Sequence, residues 1–233
     1  MLTAPQFSPA TLQTVRERIE RAAVSARRDA RCVCLLAVSK QQPPATVRAA
    51  FSAGQCDFGE NYVGEAVEKI DALHDLDGIR WHFIGRLQAN KTREVAQRFT
   101  WVHTVDRERI ASRLNSQRPH HAPPLQVLLQ VRVADEPKKG GVQPEHVQAL
   151  ATVVNAMPRL RLRGLMCMPP AAPDLERQRE PFHRLHELLE RLNASGFSLD
   201  TLSMGMSDDL EAAVLEGATI VRVGTAIFGP RPG

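Results

Sequence analysis

Residues 33–53 read VCLLAVSKQQPPATVRAAFSA. The opening run, VCLLAVS, has the length of one strand and is apolar almost throughout. Continuous rather than alternating apolarity marks a strand buried on both faces, as in a parallel sheet. A polar turn follows, then a helical stretch over 44–53. The same unit recurs along the chain. QCDFG (55–59) leads to a helix over 61–74, with Tyr62, Ala66, Ile70 and Leu73 on one face. WHFIG (81–85) leads to a helix beginning near Lys91, and WVHTV (101–105) to a helix over 107–116. LQVLLQVRV (125–133) leads, through a loop holding Lys138 to Gly141, to a helix over 144–156. RLRGLMCM (161–168) leads to a helix around 181–195, where Pro181 suits a first turn better than a helix middle. TLSMGM (201–206) leads to a helix over 208–216 with Gly217 as its C-cap, and TIVRVG (219–224) comes last.

Upstream of the first strand, Ser8-Pro9 reads as an N-cap and first helical residue. Leu12, Val15, Ile19, Ala22 and Ala26 follow at helical spacing, so 9–28 is expected to be an amphipathic helix. Strict β-α alternation implies parallel strands with right-handed crossovers. Eight such units predict an α/β fold: a single (β/α)8 TIM-type barrel with an extra N-terminal helix. An open doubly wound sheet is the alternative, but no G-x-G-x-x-G follows the first strand. No composition shift or long linker divides the chain, so residues 1–233 are expected to form one domain.

Composition narrows the functional classes. An apolar fraction of 43% with 24% charged residues excludes a largely disordered chain. A formal net charge of +4 is too mild to indicate nucleic-acid binding. No apolar run reaches the ~18 residues of a membrane span. No signal-peptide core is visible, and Glu17, Glu20 and Asp29 argue against a transit peptide. A cytoplasmic protein is therefore expected, with Cys32, Cys34, Cys56 and Cys167 as small reduced thiols. His183 and His186 stand three apart on a helix without an evident third metal ligand, so a solvated face is expected there.

In a barrel of this kind the chemistry sits at the C-terminal ends of the strands. Those positions are Lys40; Glu60 and Asn61; Gly85; Met206 and Ser207; and Gly224 and Thr225, with Arg222 inside the last strand. Lys40 ends an otherwise apolar run. Apolar walls disfavour the ammonium form, and a neutral amine is what a Schiff-base nucleophile needs. GMSDDLEAA places Ser207 at a strand-to-helix turn, and RVGTAIFG places Gly224 and Thr225 in the next turn. Free amides, two hydroxyls and a glycine in these two loops match the usual phosphate site of the fold. Asp208 and Asp209 would repel a phosphate, so both are expected to point away. A Schiff-base lysine facing a phosphate cup suggests pyridoxal 5'-phosphate (PLP). Arg222 would then lie near the pyridine nitrogen, where a permanent cation disfavours ring protonation and limits carbanion chemistry.

These residues also carry a resemblance. AVSK (37–40), FGENYV (58–63), WHFIG-x-LQ-x-NK (81–91), RLRGLM (161–166), GMSDDLEAA (205–213) and VRVGTAIFG (221–229) resemble the YggS/PROSC family of pyridoxal phosphate homeostasis proteins. The resemblance runs through nearly the whole chain. It implies a barrel like the N-terminal domain of alanine racemase, with PLP on Lys40. It also implies phosphate contacts from Ser207, Gly224 and Thr225, Arg222 beside the ring nitrogen, and Asn61 close to the cofactor; Met206 joins this cofactor-binding set. Arg86 and Ala89 occupy variable places in their motif, and DEPKKGG keeps only a Lys-x-Gly at Lys139 and Gly141. No departure touches a proposed cofactor residue.

Related racemases use the Schiff-base lysine and a tyrosine from a second, β-rich domain. Here no residues remain for such a domain after the barrel, and the one tyrosine, Tyr62, opens the second helix. The expectation is therefore a PLP carrier or buffer in cofactor homeostasis, with possible supply to apo forms of PLP-dependent enzymes, and no committed catalytic cycle. It is expected to act as a monomer, without nucleic-acid or membrane partners. Three other readings stand beside it. One is a PLP-dependent racemase or lyase with His82 or a cysteine as second base. Another is a Schiff-base aldolase in which Ser207 and Thr225 hold a sugar phosphate. The third is a basic interaction domain using RLRLRG (159–164).

Overall fold

A computed structural model describes residues 7–134 and 140–229. Eight strands close into a parallel barrel in chain order, the last pairing with the first. The strands are β1 (Cys34–Val38), β2 (Asp57–Glu60), β3 (Arg80–Phe83), β4 (Trp101–Val105), β5 (Leu125–Gln130), β6 (Leu160–Met166), β7 (Thr201–Ser203) and β8 (Ile220–Val223). The helices are α1 (Pro9–Ser25), α2 (Pro44–Ser52), α3 (Val63–Ala72), α4 (Thr92–Arg98), α5 (Glu108–Gln117), α6 (Val147–Asn155), α7 (Leu175–Ala194), α8 (Leu210–Leu215) and α9 (Thr225–Phe228). The barrel and the leading helix are as expected. The short α9 after the last strand is an addition. No described helix is long and apolar enough to cross a membrane.

Three boundaries differ for identifiable reasons. The fifth strand stops at Gln130 instead of 133, because its partner β6 ends at Met166; beyond it Val131 donates its N–H to the Met166 carbonyl and forms an isolated bridge to Val142. The seventh helix starts well before Pro181. Asp174 caps it by accepting a hydrogen bond from the Arg177 N–H, and Pro181 lies inside the helix, on its buried face beside Phe182. Tyr62 does not join the buried face of α3. It precedes the helix and is 57% exposed, while Ala66 and Leu73 are buried. Lys138 and Lys139 lie outside the described residues.

Most of the apolar core lies between the strands and the helical ring. The interior of the barrel is a separate and smaller apolar set: Leu36, Ile84 and Ile220, with Cys34 and Val38 packed on it. Leu36 and Ile220 come from neighbouring strands, and Ile84 follows β3, so they meet across the barrel. Polar side chains fill much of the rest of this interior, beside Leu128, Met166 and Trp101. His82, His103, Ser203 and Arg222 are each 3% exposed or less, in place of the branched aliphatic layers usual for this fold.

The N-terminal helix braces one side of the barrel. The Arg18 guanidinium donates to both carboxylate oxygens of Glu211 in α8, at 2.7 and 2.8 Å, and to the Ser207 carbonyl at 2.9 Å. Thr11 Oγ1 donates to the Ile227 carbonyl at 2.7 Å. The two turns that follow β7 and β8 are thus tied to α1.

Candidate functional site

Seven sequence-predicted residues line one cleft of about 280 Å³ at the C-terminal mouth of the barrel: Lys40, Asn61, Met206, Ser207, Arg222, Gly224 and Thr225. Val38, Ile84 and Phe228 add apolar wall, and Gln42 and Met168 also contribute.

Alternation along β1 places Lys40. Val38 faces the interior cluster, so Lys40, two residues on, faces the cleft. The intervening Ser39 turns the other way and is fully buried. Its hydroxyl donates to Glu60 Oε1 at 2.6 Å. Glu60 therefore leaves the set of strand-end candidates: it lies behind the strands, not in the cleft. There it meets Lys69 of α3, whose ammonium donates to Glu60 Oε1 at 2.5 Å, to the Ser39 carbonyl at 2.7 Å and to Glu65 Oε1 at 3.0 Å. Burial raises the Glu60 carboxyl above its ordinary value, against the pull of Lys69 and Ser39. Gln41, next to Lys40, has φ 61° and donates its backbone N–H to Glu65. A left-handed non-glycine residue is unfavourable and persists only where its surroundings hold it. This bracket fixes the turn that presents Lys40.

Asn61 is placed by Gly85. A Cβ at Gly85 would stand 2.0 Å from the Asn61 carbonyl oxygen, so only glycine lets the turn after β3 close over the end of β2. The Asn61 Oδ1 is buried and has no hydrogen-bond partner. An unpaired buried acceptor is costly, and Asn61 is also part of the cleft lining.

The turns after β7 and β8 form another part of the lining. Asp209 accepts the Met206 N–H at 2.5 Å, which shapes the loop that presents Ser207. The expectation that both aspartates point away needs correction. Asp209 is buried and tied to the loop, but the exposed Asp208 is part of the cleft lining. At the rim its charge is solvated, which reduces its repulsion of a bound anion. Gly224 is tight against β1: a Cβ there would stand 3.3 Å from the Val38 carbonyl oxygen. Arg222, fully inside the barrel, donates to Ser203 Oγ at 2.9 Å and to the Cys167 carbonyl at 2.8 Å. Burial lowers its pKa, and no described carboxylate lies within ion-pair distance of it.

His82 is also inside the barrel, but it is 1% exposed and does not line the cleft. Its Nε2 meets Asp57 Oδ1 at 3.1 Å and its Nδ1 meets His103 Nε2 at 3.0 Å. Burial lowers the pKa of both histidines, His103 well below the ordinary value. Cys167 is fully buried with its thiol pushed up to about 12 by burial. The sequence reading missed Asp57, His103 and Ser203 as partners of His82 and Arg222. Their one common signal was a polar residue in an otherwise apolar strand. His183 and His186 contact Glu216, through its side chain and its carbonyl respectively.

Chemically, the cleft offers an amine and two hydroxyl-bearing turns, with a buried cation in its floor and an unpaired acceptor at its side. Those groups fit a small anionic carbonyl compound.

The family model "Alanine racemase, N-terminal domain" matches residues 11–232. A pyridoxal phosphate homeostasis protein of Pseudomonas aeruginosa is 56% identical over 217 residues, covering 93% of both chains. One of Escherichia coli is 49% identical over 222 residues, covering 94% of this chain and 95% of the other. Among solved structures, PipY of Synechococcus elongatus with PLP bound superposes with a TM-score of 0.81 at 36% identity, covering 91% of this chain and all of that one.

Proposed function

The chain belongs to the alanine racemase N-terminal-domain family, and from that premise we propose that it binds PLP as a Schiff base on Lys40 and acts in PLP homeostasis. In this reading it holds and buffers the cofactor, supplies it to apo forms of PLP-dependent enzymes, and runs no committed catalytic cycle. PLP supplies an aldehyde, with which the Lys40 amine forms a C=N bond while one water leaves. Ser207, Gly224 and Thr225 would hold the phosphate, Arg222 would neighbour the ring nitrogen, and Asn61 and Met206 would flank the cofactor. The PLP-bound PipY relative and the homeostasis names of the curated relatives support this reading. It extends to a single-domain monomer in the cytoplasm, without nucleic-acid or membrane partners.

One observation carries the non-catalytic part. Among the described residues, the ionisable side chains lining the cleft are Lys40, Asp208 and Arg222. Asp208 adjoins Ser207 in the turn after β7. No described tyrosine, histidine or cysteine lines the cleft, so the second base that two-face racemisation commonly uses has no evident donor there. His82 and Cys167, the alternative bases, are buried away from it.

The test is the visible spectrum of the protein mixed with PLP. A bound-cofactor band that survives removal of free PLP, and that Lys40→Ala abolishes, is the expected result; protein left without any band after that removal refutes PLP binding and favours the aldolase reading. Rapid turnover of any one amino acid, lost on Lys40→Ala, refutes the carrier role. Transfer of bound PLP to an apo-enzyme, faster than free PLP at equal concentration, is the expected result for supply.

A further inference from the structure

Five side chains form an unbroken hydrogen-bonded chain through the barrel interior. Arg222 Nη1 meets Ser203 Oγ at 2.9 Å, and Ser203 Oγ meets His103 Nδ1 at 2.9 Å. His103 Nε2 meets His82 Nδ1 at 3.0 Å, and His82 Nε2 meets Asp57 Oδ1 at 3.1 Å. These residues come from β8, β7, β4, β3 and β2, so the chain crosses the barrel between β7 and β4. One end lines the cleft. At the other, the half-exposed Arg80 donates to both oxygens of Asp57, at 2.6 and 2.5 Å.

We propose that this chain runs one way, every donor pointing from Arg222 towards Asp57, and that Ser203, His103, His82 and Asp57 thereby act as positioning residues that hold the Arg222 guanidinium in the floor of the cofactor cleft. The inference rests on the reading of that cleft as a PLP site.

Donor and acceptor counting fixes the direction. Burial works against the Asp57 charge, but hydrogen bonds from His82 and Arg80 hold its carboxyl well below the usual range, so it only accepts. His82 Nε2 must then carry the proton. A buried neutral His82 offers Nδ1 as an acceptor, so His103 Nε2 carries the next proton. His103 is neutral for the same reason, and its Nδ1 accepts the Ser203 hydroxyl. The serine oxygen is left to accept from Arg222. Reversal would need a protonated Asp57 or a buried imidazolium. The ring of Trp101 stacks on His82, 5.4 Å away and 4° from parallel, and restricts its rotation.

The arrangement has a consequence for Arg222. Without a carboxylate in contact, its guanidinium is held by only two recorded bonds, to Ser203 and to the Cys167 carbonyl. Ser203 can accept from Arg222 in a fixed direction only while His103 takes its proton. The orientation of the cation in the cleft therefore depends on an aspartate at the other end of the chain.

The first measurement needs no cofactor. Imidazole nitrogen NMR of the PLP-free protein at pH 7 should show His82 and His103 as neutral Nε2–H tautomers. An Nδ1–H tautomer or an imidazolium at either position overturns the chain. The second measurement uses PLP labelled at its ring nitrogen, bound to the protein. Ser203→Ala and His103→Phe should keep the visible band, shift the ring-nitrogen resonance, and release PLP about three- to ten-fold faster, the worth of one hydrogen bond. Val127→Ala, which removes buried volume on the helix-facing side of β5, should leave the resonance in place. An unmoved resonance in both chain variants overturns the positioning role. Absence of any band in the unaltered protein overturns the PLP reading and this use of Arg222 with it, while the tautomers still decide the chain.

Discussion

Replacing Lys69 by Met removes the one cation from the bracket whose inner members, Lys69 and Glu60, are closed to water. Lys69 and Glu60 are 2% and 0% exposed. With the ammonium gone, Glu60 retains the Ser39 hydroxyl and nothing else recorded, while its Oε2 already lacks a partner. Stranding a buried charge in this way costs about 3–5 kcal/mol. Protonation sets a ceiling on that cost. Taking up a proton from an unfolded-state pKa near 4.3 costs about 3.7 kcal/mol at pH 7 and about 1 kcal/mol at pH 5. The sign follows from the same shift: Glu60 in the variant has a folded-state pKa above its unfolded value, so the native state binds more protons, and stability falls as pH rises. At about 2–4 °C per kcal/mol for a chain of this size, Lys69→Met should lower Tm by about 7–15 °C at pH 7 and about 2–4 °C at pH 5. Thermal unfolding followed by circular dichroism across that range measures it. Adding Glu60→Gln to the variant should remove the share of the pH dependence that Glu60 contributes. A deficit equal at both pH values, or below about 1 kcal/mol at pH 7, refutes the account of Lys69 as the counter-charge that holds the Lys40 turn.

Two further outcomes are open to the same instruments. Burial lowers the pKa of His82 and His103, amid the fields of Asp57, Arg80 and Arg222, so below pH 6.5 the unfolded chain binds the extra protons and stability is lost on acidification, by up to about 1.4 kcal/mol per pH unit for each histidine. Urea unfolding between pH 5 and 7 should show this slope reduced in His103→Phe; an unchanged slope refutes it. Gly85→Ala puts a methyl group 2.0 Å from the Asn61 carbonyl; overpacking of this kind costs about 1–3 kcal/mol, and the displaced Asn61 should weaken PLP retention, whereas normal stability and retention would mean the two turns separate freely.

The barrel was legible because its strands are buried on both faces. CLLAV in β1 is apolar throughout and LQVLLQ in β5 is apolar at all but Gln126 and Gln130, and that signal survives without any knowledge of partners. The boundaries were less legible where the pattern outran the pairing. Val131 and Val133 continue the apolar run of β5, but β6 has ended beside them. In α7 the converse holds: the stripe Phe182, Leu185, Leu188 and Leu192 is visible, whereas the polar turns before it carry no periodicity and are helical through the Asp174 cap. The cleft was legible because each strand end exposes its own chemistry, and seven of those residues do meet. Glu60 stood among the strand-end positions because position at a strand end says nothing about parity. The packing supplies the parity. A Cβ at Gly59 would touch Leu36 and Ile84 in the barrel interior, so its neighbour Glu60 must face the helices. The interior chain could not be read at all. A histidine in a strand has the same local sequence whether it ends in an apolar pocket or on another histidine. His103 finds Ser203 only because the barrel closes, 100 residues away along the sequence. Residues of this kind are determined by topology and then determine the site, since the orientation of Arg222 depends on them.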